Sequence, residues 1–173
     1  MRLLGAVLAG GGSTRFGSDK ALALMRDGRT LMDHAMAALS PHVAQLVICG
    51  RAGGLPDRPR PDMGPLGGLN AALHHAATHG FAGVLTTGCD MPFYPAPLPA
   101  ILLGDGPALL EGQPLIGWWP ATLAPALDTH LAEENSRSIR GWMERARART
   151  VAVPGLALPN INRPEDLAAL DGG

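Results

Sequence analysis

The residues that most constrain this chain are the first twenty. An apolar run from Leu3 to Leu8, short enough for a buried strand, gives way at once to Ala9-Gly10-Gly11-Gly12-Ser13-Thr14-Arg15-Phe16-Gly17-Ser18-Asp19-Lys20. A strand therefore feeds a loop of phosphate size. Three consecutive glycines have no Cβ to hold a ligand off the backbone, so their N–H groups can turn inward together and form an anion-binding concavity. Arg15 and Lys20 add the formal charge that backbone dipoles lack. The combination suits a triphosphate, in which peptide N–H groups position oxygens while cations offset charge that grows as phosphorus is attacked.

Two familiar glycine loops are excluded by spacing. Gly12 and Gly17 are as far apart as the glycines of a P-loop, but that motif requires Lys and then Ser or Thr directly after the second glycine, and here Ser18 and Asp19 precede Lys20. The G-x-G-x-x-G spacing of dinucleotide folds is also missing, with no acidic residue placed to close a ribose site. A surface turn carrying two solvated cations is the plainer alternative.

Leu8 to Lys20 nevertheless matches L-A-G-G-x-S-x-R-[MF]-G-x-D-K, and so resembles the nucleotidyltransferases that activate molybdopterin, in particular the MobA-like molybdenum cofactor guanylyltransferase family. Three further segments are similar to that family's. Gly64-Pro65-Leu66-Gly67-Gly68-Leu69 fits G-P-L-x-G-L, Cys89-Asp90-Met91-Pro92 fits C-D-x-P, and Asn160-Ile161-Asn162-Arg163-Pro164-Glu165-Asp166-Leu167 fits N-x-N-x-P-E-[DE]-L. The resemblance implies nucleotide contacts from Leu8, Ala9, Gly10, Gly11, Gly12 and Ser13. It extends them to Lys20, Cys49, Gly67, Asp90, Asn160 and Asn162, with Arg15, Lys20 and Asp90 in the chemistry and Asp90 on Mg2+.

Residue chemistry supports several of these expectations independently. Asp90 follows the apolar stretch Val84-Leu85-Thr86-Thr87-Gly88 and precedes a proline, so it falls at the C-terminal end of a strand, where open parallel sheets bind ligands. A hard cation wants carboxylate oxygen, and Mg2+ commonly takes one or two carboxylates plus phosphate and water; an Asx turn before proline is the structural alternative. Guanine presents N–H donors on its pairing edge, for which Asp62 is a candidate acceptor, with ribose or metal as its other possible ligands. Asn160 and Asn162 either orient phosphate or metal-bound water, or simply complete a turn.

Taken in order, the rest of the chain alternates strands and helices. Arg26-Asp27-Gly28-Arg29 is a turn, and Thr30 with Asp33 approximates a capping box for a helix that Ser40-Pro41 ends. Gln45 to Cys49 is a second parallel strand, Gly50 to Gly64 a loop, and Asn70 to His79 an alanine-rich helix whose preceding glycine pair would let backbone touch a flat base. A short helical piece is expected near Pro99 to Leu103. Strands over Ala108–Leu110 and Gln113–Trp119 meet at Glu111-Gly112. Helices over Ala121–Ala132 and Ser136–Ala148 and a strand over Thr150–Val153 follow. Trp118 and Trp119 either stack on a planar pterin or belong to the core. Arg137 and Arg140, three apart, would share a helix face towards an acceptor phosphate or solvent. His75 and His79 are spaced for a metal, but without the glutamate of H-E-x-x-H or a third ligand they are read, with His74, as a polar face.

Length and charge close off other classes. The 173 residues suffice for one domain, with a nucleotide-binding part over about 1–95 and an acceptor-binding part over about 96–173. A net charge of −1 without a basic block argues against a nucleic-acid partner. The apolar start is too short for a signal peptide and leads into the glycine loop, and no stretch approaches the ~18 apolar residues of a membrane helix. Two cysteines suit neither a disulfide scaffold nor a zinc cluster, and are expected to be reduced in a cytoplasmic protein.

The expected fold is a three-layer α/β/α, Rossmann-like nucleotidyltransferase domain with a mainly parallel sheet. The resemblance implies transfer of GMP from GTP to molybdopterin-bound molybdenum cofactor, with Mg2+ as cofactor and with cofactor-delivery proteins and molybdoenzyme apoproteins as further partners. A related enzyme using CTP or another phosphorylated acceptor, and a non-catalytic nucleotide-binding assembly protein, are the alternatives.

Overall fold

In the computed structural model, which describes residues 1–9, 19–133, 137–156, 158, 161, 165, 166 and 169, the apolar runs become strands and the small-residue runs become helices packed on them. β1 (Leu3–Leu8) is buried along its whole length, as a strand covered on both faces must be. A single 3-10 turn, Lys20–Leu22, and a hairpin closed by Leu24 and Thr30 lead into α1 (Leu31–Leu39). The capping box forms: Thr30 Oγ1 accepts from Asp33 N, and Asp33 accepts from Thr30 N at 2.9 Å. β2 (Gln45–Cys49) and α2 (Gly64–Thr78) follow, then β3 (Gly83–Gly88), α3 (Leu98–Leu102), β4 (Ala108–Leu110) and β5 (Gln113–Pro120). The described elements close with α4 (Ala124–Ala132), α5 (Ile139–Arg145) and β6 (Arg149–Val151).

The sheet has the order β2-β1-β3-β5-β4-β6. β1 pairs in parallel with β2 and β3, β4 pairs in parallel with β6, and β5 runs antiparallel to both its neighbours. All strands except β5 therefore end on the same edge. On one face Leu4, Ala6 and Leu8 pack with Leu66, Leu69 and Leu73 of α2, Leu127 of α4 and Trp142 of α5. On the other, Leu85, Ile116 and Trp118 pack with Leu39 of α1 and Leu98 and Leu102 of α3. Two helical layers thus enclose the sheet, as the sequence led us to expect.

Several local expectations need correction. α2 starts at Gly64, six residues before Asn70, because Pro65 occupies its opening turn and the glycine pair continues it. Gly67 and Gly68 thus lie inside the helix and not in a loop at its entrance. A Cβ on Gly67 would lie 2.4 Å from Met63 Cβ, and one on Gly68 3.0 Å from Cys49 Cβ, so glycine here lets the helix seat against β2 and the preceding loop.

α5 is only Ile139–Arg145, capped by Ser138 Oγ accepting from Gly141 N at 3.0 Å. Arg137 consequently precedes the helix and shares no face with Arg140, whose guanidinium bonds Glu144 one turn on. Both tryptophans of β5 are core residues, 3% and 2% exposed, so neither can stack on a pterin. Trp118 Nε1 donates to Gly104 O and Trp119 Nε1 to Thr86 Oγ1. His75 and His79 stack at 4.0 Å, while His74 bonds Asp128 of α4 at 2.8 Å. Among the described residues no group of three His, Cys, Asp or Glu is placed to hold a metal, and no helix is long and apolar enough to cross a membrane.

α5 is too short to persist without tertiary packing, and Trp142 supplies it: fully buried, it stacks on Trp119 at 6.2 Å and against His130 at 5.4 Å. Trp142→Ala should cost about 3–5 kcal/mol by cavity formation. Its indole Nε1 has no hydrogen-bond partner among the described residues, so Trp142→Phe should cost clearly less. Urea unfolding of the two variants checks the ordering.

Candidate active site

The edge where β1, β2 and β3 end gathers most of the described candidate residues. Parallel pairing sets Leu8 opposite Cys49 on one side and Gly88 on the other. Beyond the last rungs, Ala9 N donates to Cys49 O at 3.0 Å and Cys89 N to Leu8 O at 3.3 Å. Asp90 therefore projects just past the end of β3. Lys20, entering from the 3-10 turn after the glycine loop, meets it with Nζ 3.0 Å from Oδ2. The side chains are 11% and 24% exposed, so the pair is largely withdrawn from water yet reachable by a ligand. Two residues seventy apart in sequence are thus brought into contact at the strand ends.

Gly88 is part of this geometry. A Cβ there would stand 2.7 Å from Asp90 Oδ1 and 3.0 Å from Leu115 Cδ1, so only glycine lets the carboxylate fold back over the end of its own strand.

A second pair flanks the first. Arg51, two residues past β2, grips Asp19 with both terminal nitrogens: Nη1 lies 2.9 Å from Oδ1, and Nη2 bonds Oδ2. Asp19 also caps the 3-10 turn, accepting from Ala21 N at 3.2 Å. The guanidinium, by hydrogen bond first, holds the Asp19 carboxyl below its ordinary value, and Asp19 raises Arg51 in return.

Against the opening turns of α2 the sequence reading missed a carboxylate. Asp57 accepts from Met63 N at 3.1 Å through Oδ2, while Oδ1 is buried without a hydrogen-bond partner and lies 3.7 Å from where a Cβ of Gly68 would be. Burial foremost, and then the charge of Asp62, push its pKa up despite the Met63 N–H. Asp62, the expected acceptor, is exposed, with φ of 60°. No motif marks Asp57; only its desolvation sets it apart.

Two other expected contacts fall inside the protein. Cys49 is fully buried against Gly68, with its thiol pushed up to about 12 by burial, and its carbonyl is taken by Ala9 N. Gly67 is buried in α2, with its carbonyl accepting from Arg58 N at 3.2 Å. Both shape the site from behind. Gly10, Gly11, Gly12, Ser13, Arg15, Asn160 and Asn162 lie outside the described residues.

The architecture is one that nucleotidyltransferases share. A solved molybdopterin-guanine dinucleotide biosynthesis protein A from Archaeoglobus fulgidus superposes with a TM-score of 0.75, covering 99% of this chain and 97% of its own at 21% identity. The 2-C-methyl-D-erythritol 4-phosphate cytidylyltransferase of Thermus thermophilus does so at 0.65, covering 99% and 96% at 17% identity.

In sequence, the model of the MobA-like NTP transferase domain matches residues 5–151. A molybdenum cofactor guanylyltransferase from Rhizobium leguminosarum bv. trifolii is 35% identical, covering 96% of this chain and 90% of that protein. One from Cereibacter sphaeroides is 36% identical, with 97% and 95% covered. The chain belongs to the MobA-like NTP transferase family.

Because the atoms that a methyl group on Gly88 would strike are the ends of flexible side chains, Gly88→Ala should displace the Asp90 carboxylate at little cost in stability. Nucleotidyl transfer should drop at least tenfold while the thermal midpoint stays within a few degrees of wild type. Parallel turnover and melting measurements test this.

Proposed function

We propose that this chain transfers the GMP moiety of GTP to a terminal phosphate of molybdopterin-bound molybdenum cofactor, giving the guanine dinucleotide form and pyrophosphate. The observation that carries the reaction type is the Lys20–Asp90 contact at the strand ends. The choice of substrates is supported by the relatives that bear the name molybdenum cofactor guanylyltransferase over nearly their whole length.

An acceptor phosphate oxygen attacks the α-phosphorus in line, the bond from that phosphorus to the bridging oxygen breaks, and pyrophosphate leaves with the electron pair. No covalent enzyme intermediate is needed, because the acceptor brings its own nucleophile. The backbone of Leu8 to Ser13, with Arg15 and Lys20, holds the triphosphate, and Asn160 and Asn162 orient phosphate or water. Positioning and charge neutralisation by these groups account for most of the rate.

The donor set at the strand end fits a hard cation. Asp90 engages Lys20 through one oxygen and keeps part of its side chain in solvent, and one carboxylate completed by phosphate and water is a common environment for Mg2+. Magnesium bound there supplies neutralisation of the phosphate charge. Lys20 would bind the phosphate oxygens, and Asp90 would be the carboxylate that holds the cation.

For the base, Asp57 replaces Asp62 as the acceptor of guanine's N–H donors, since its buried unpartnered oxygen is the one a donor would satisfy. A site built this way rejects a base lacking those donors strongly, because the carboxylate is then left unpaired. The nucleotide-binding part spans about 1–95, and the acceptor part, from about 96, supplies β4 to β6. The cytoplasm is the proposed location, a reading supported by a chain with only two cysteines, and cofactor-delivery proteins and molybdoenzyme apoproteins are the proposed further partners.

Pyrophosphate release should be measured with each of the four NTPs, Mg2+ and molybdopterin-bound cofactor. GTP alone is expected to support it, and Lys20→Ala and Asp90→Ala each to lose most turnover while remaining folded. Preference for CTP would replace the donor, and GTP binding without product would make the chain an assembly protein.

Asp57 adds a pH signature. Its folded pKa is raised and only the ionised form accepts guanine's donors, so KM for GTP should climb as pH falls through that raised value. Asp57→Asn should abolish this acid limb and weaken the preference for guanine, as GTP and ITP kinetics across pH would reveal.

A further inference from the structure

We infer that the Arg51–Asp19 ion pair is a positioning latch for the phosphate-binding loop, and that Arg51 acts through Asp19 without itself contacting the nucleotide. The inference rests on the proposed nucleotidyl transfer and identifies what keeps its site assembled through turnover.

The topology gives the reason. β1 is the central strand of the parallel trio, and the segment that leaves it returns at Asp19 and Lys20. These consecutive residues reach in opposite directions. Asp19 pairs with Arg51 beyond the end of β2, and Lys20 with Asp90 beyond the end of β3. The returning end of the loop is thus fastened on both sides of the strand from which it departs.

The two fastenings differ in what the reaction leaves of them. Lys20 and Asp90 carry the charges that a triphosphate and its cation require, so substrate binding draws that contact apart or shares it. Asp19 and Arg51 are engaged with each other through two bonds, and Asp19 has the additional task of capping the 3-10 turn that presents Lys20. Arg51 is 20% exposed and Asp19 47%, so it is the two-pronged geometry and the capping role of Asp19, not burial, that distinguish the pair from a single-bonded surface ion pair. Once substrate occupies Lys20 and Asp90, Arg51–Asp19 remains to hold the loop's returning end in register.

The test is a double-mutant cycle on the full chain. Asp19→Asn keeps an oxygen to cap Ala21 N but removes the charge, Arg51→Gln removes the guanidinium, and the double variant combines them. If the pair works as a latch, each single variant raises KM for GTP roughly tenfold with kcat changed less than threefold. The double variant is then no worse than either, and Arg51→Lys is intermediate because it restores charge without the second prong.

Losses that multiply in the double variant, or a rise in KM for Arg51→Gln without one for Asp19→Asn, would mean that Arg51 meets the nucleotide directly and would overturn the inference. So would normal KM in both singles. Amide hydrogen exchange of the ligand-free protein over residues 19–24 gives a second readout, independent of turnover. It should accelerate in both single variants while exchange in β1 and β3 is unchanged, and unaltered exchange over 19–24 would also overturn the latch. Wild-type turnover with GTP judges the proposed function separately, so an inactive wild type with accelerated exchange in the variants would sink that reading and leave the latch standing.

Discussion

The contact between Lys20 and Asp90 depends on three strands ending level with one another, and the rest of the fold serves that alignment. Ion pairs withdrawn from water gain little net stability, because desolvating both charges offsets most of their attraction. This pair is better understood as a site in its resting arrangement than as a brace. An ammonium is suited to phosphate oxygens and a carboxylate to a cation, and here each group neutralises the other across 3.0 Å. Stability comes from elsewhere, from the two apolar layers that clamp β1 and β3 between α2, α4 and α5 on one face and α1 and α3 on the other.

Those layers explain which parts of the molecule were legible in the sequence. β1, β2 and the β4–β5 hairpin follow from apolar runs bounded by glycine, and the capping box at Thr30 follows from its own side-chain chemistry. Asp90 was legible because a carboxylate between a buried strand and a proline has few other places to go. What escaped depended on contacts between distant segments. A glycine pair reads as a loop until Cys49 and Met63 are seen to fill the space where its side chains would be. Trp118 and Trp119 read equally as core or ligand platform until both faces of β5 are covered. Asp57 and Asp62 are indistinguishable as letters in a proline-rich loop, and only folding buries one and leaves the other in solvent.

The two halves of the nucleotide site are consequently built on different physics. At the phosphate end, formal charges face each other in partly wet surroundings, where attraction is strong at short range and sensitive to ionic strength. At Asp57, a half-buried carboxylate packs on Gly67 and Gly68, and one of its oxygens is withdrawn from water with no hydrogen-bond partner among the described residues. On the proposed function, a polyphosphate would engage the first pair whatever base it carries, whereas only a base with matching donors would satisfy Asp57. Affinity for nucleotides as a class and discrimination among them would then fall to separate groups.

The reversal of β5 places Asp90 at a boundary within the sheet. β3 is the last of the parallel trio, and β5 lies antiparallel beside it, bringing Leu115 near the start of that strand against Gly88 and the Asp90 carboxylate. Asp90 therefore stands at the seam between the strands that carry the nucleotide residues and the β5-β4-β6 half of the sheet. A group placed at such a seam can serve reactants approaching from both sides without moving. In-line transfer makes use of such a place, since the attacking and leaving oxygens lie on opposite sides of the phosphorus and a group beside it lies within reach of both.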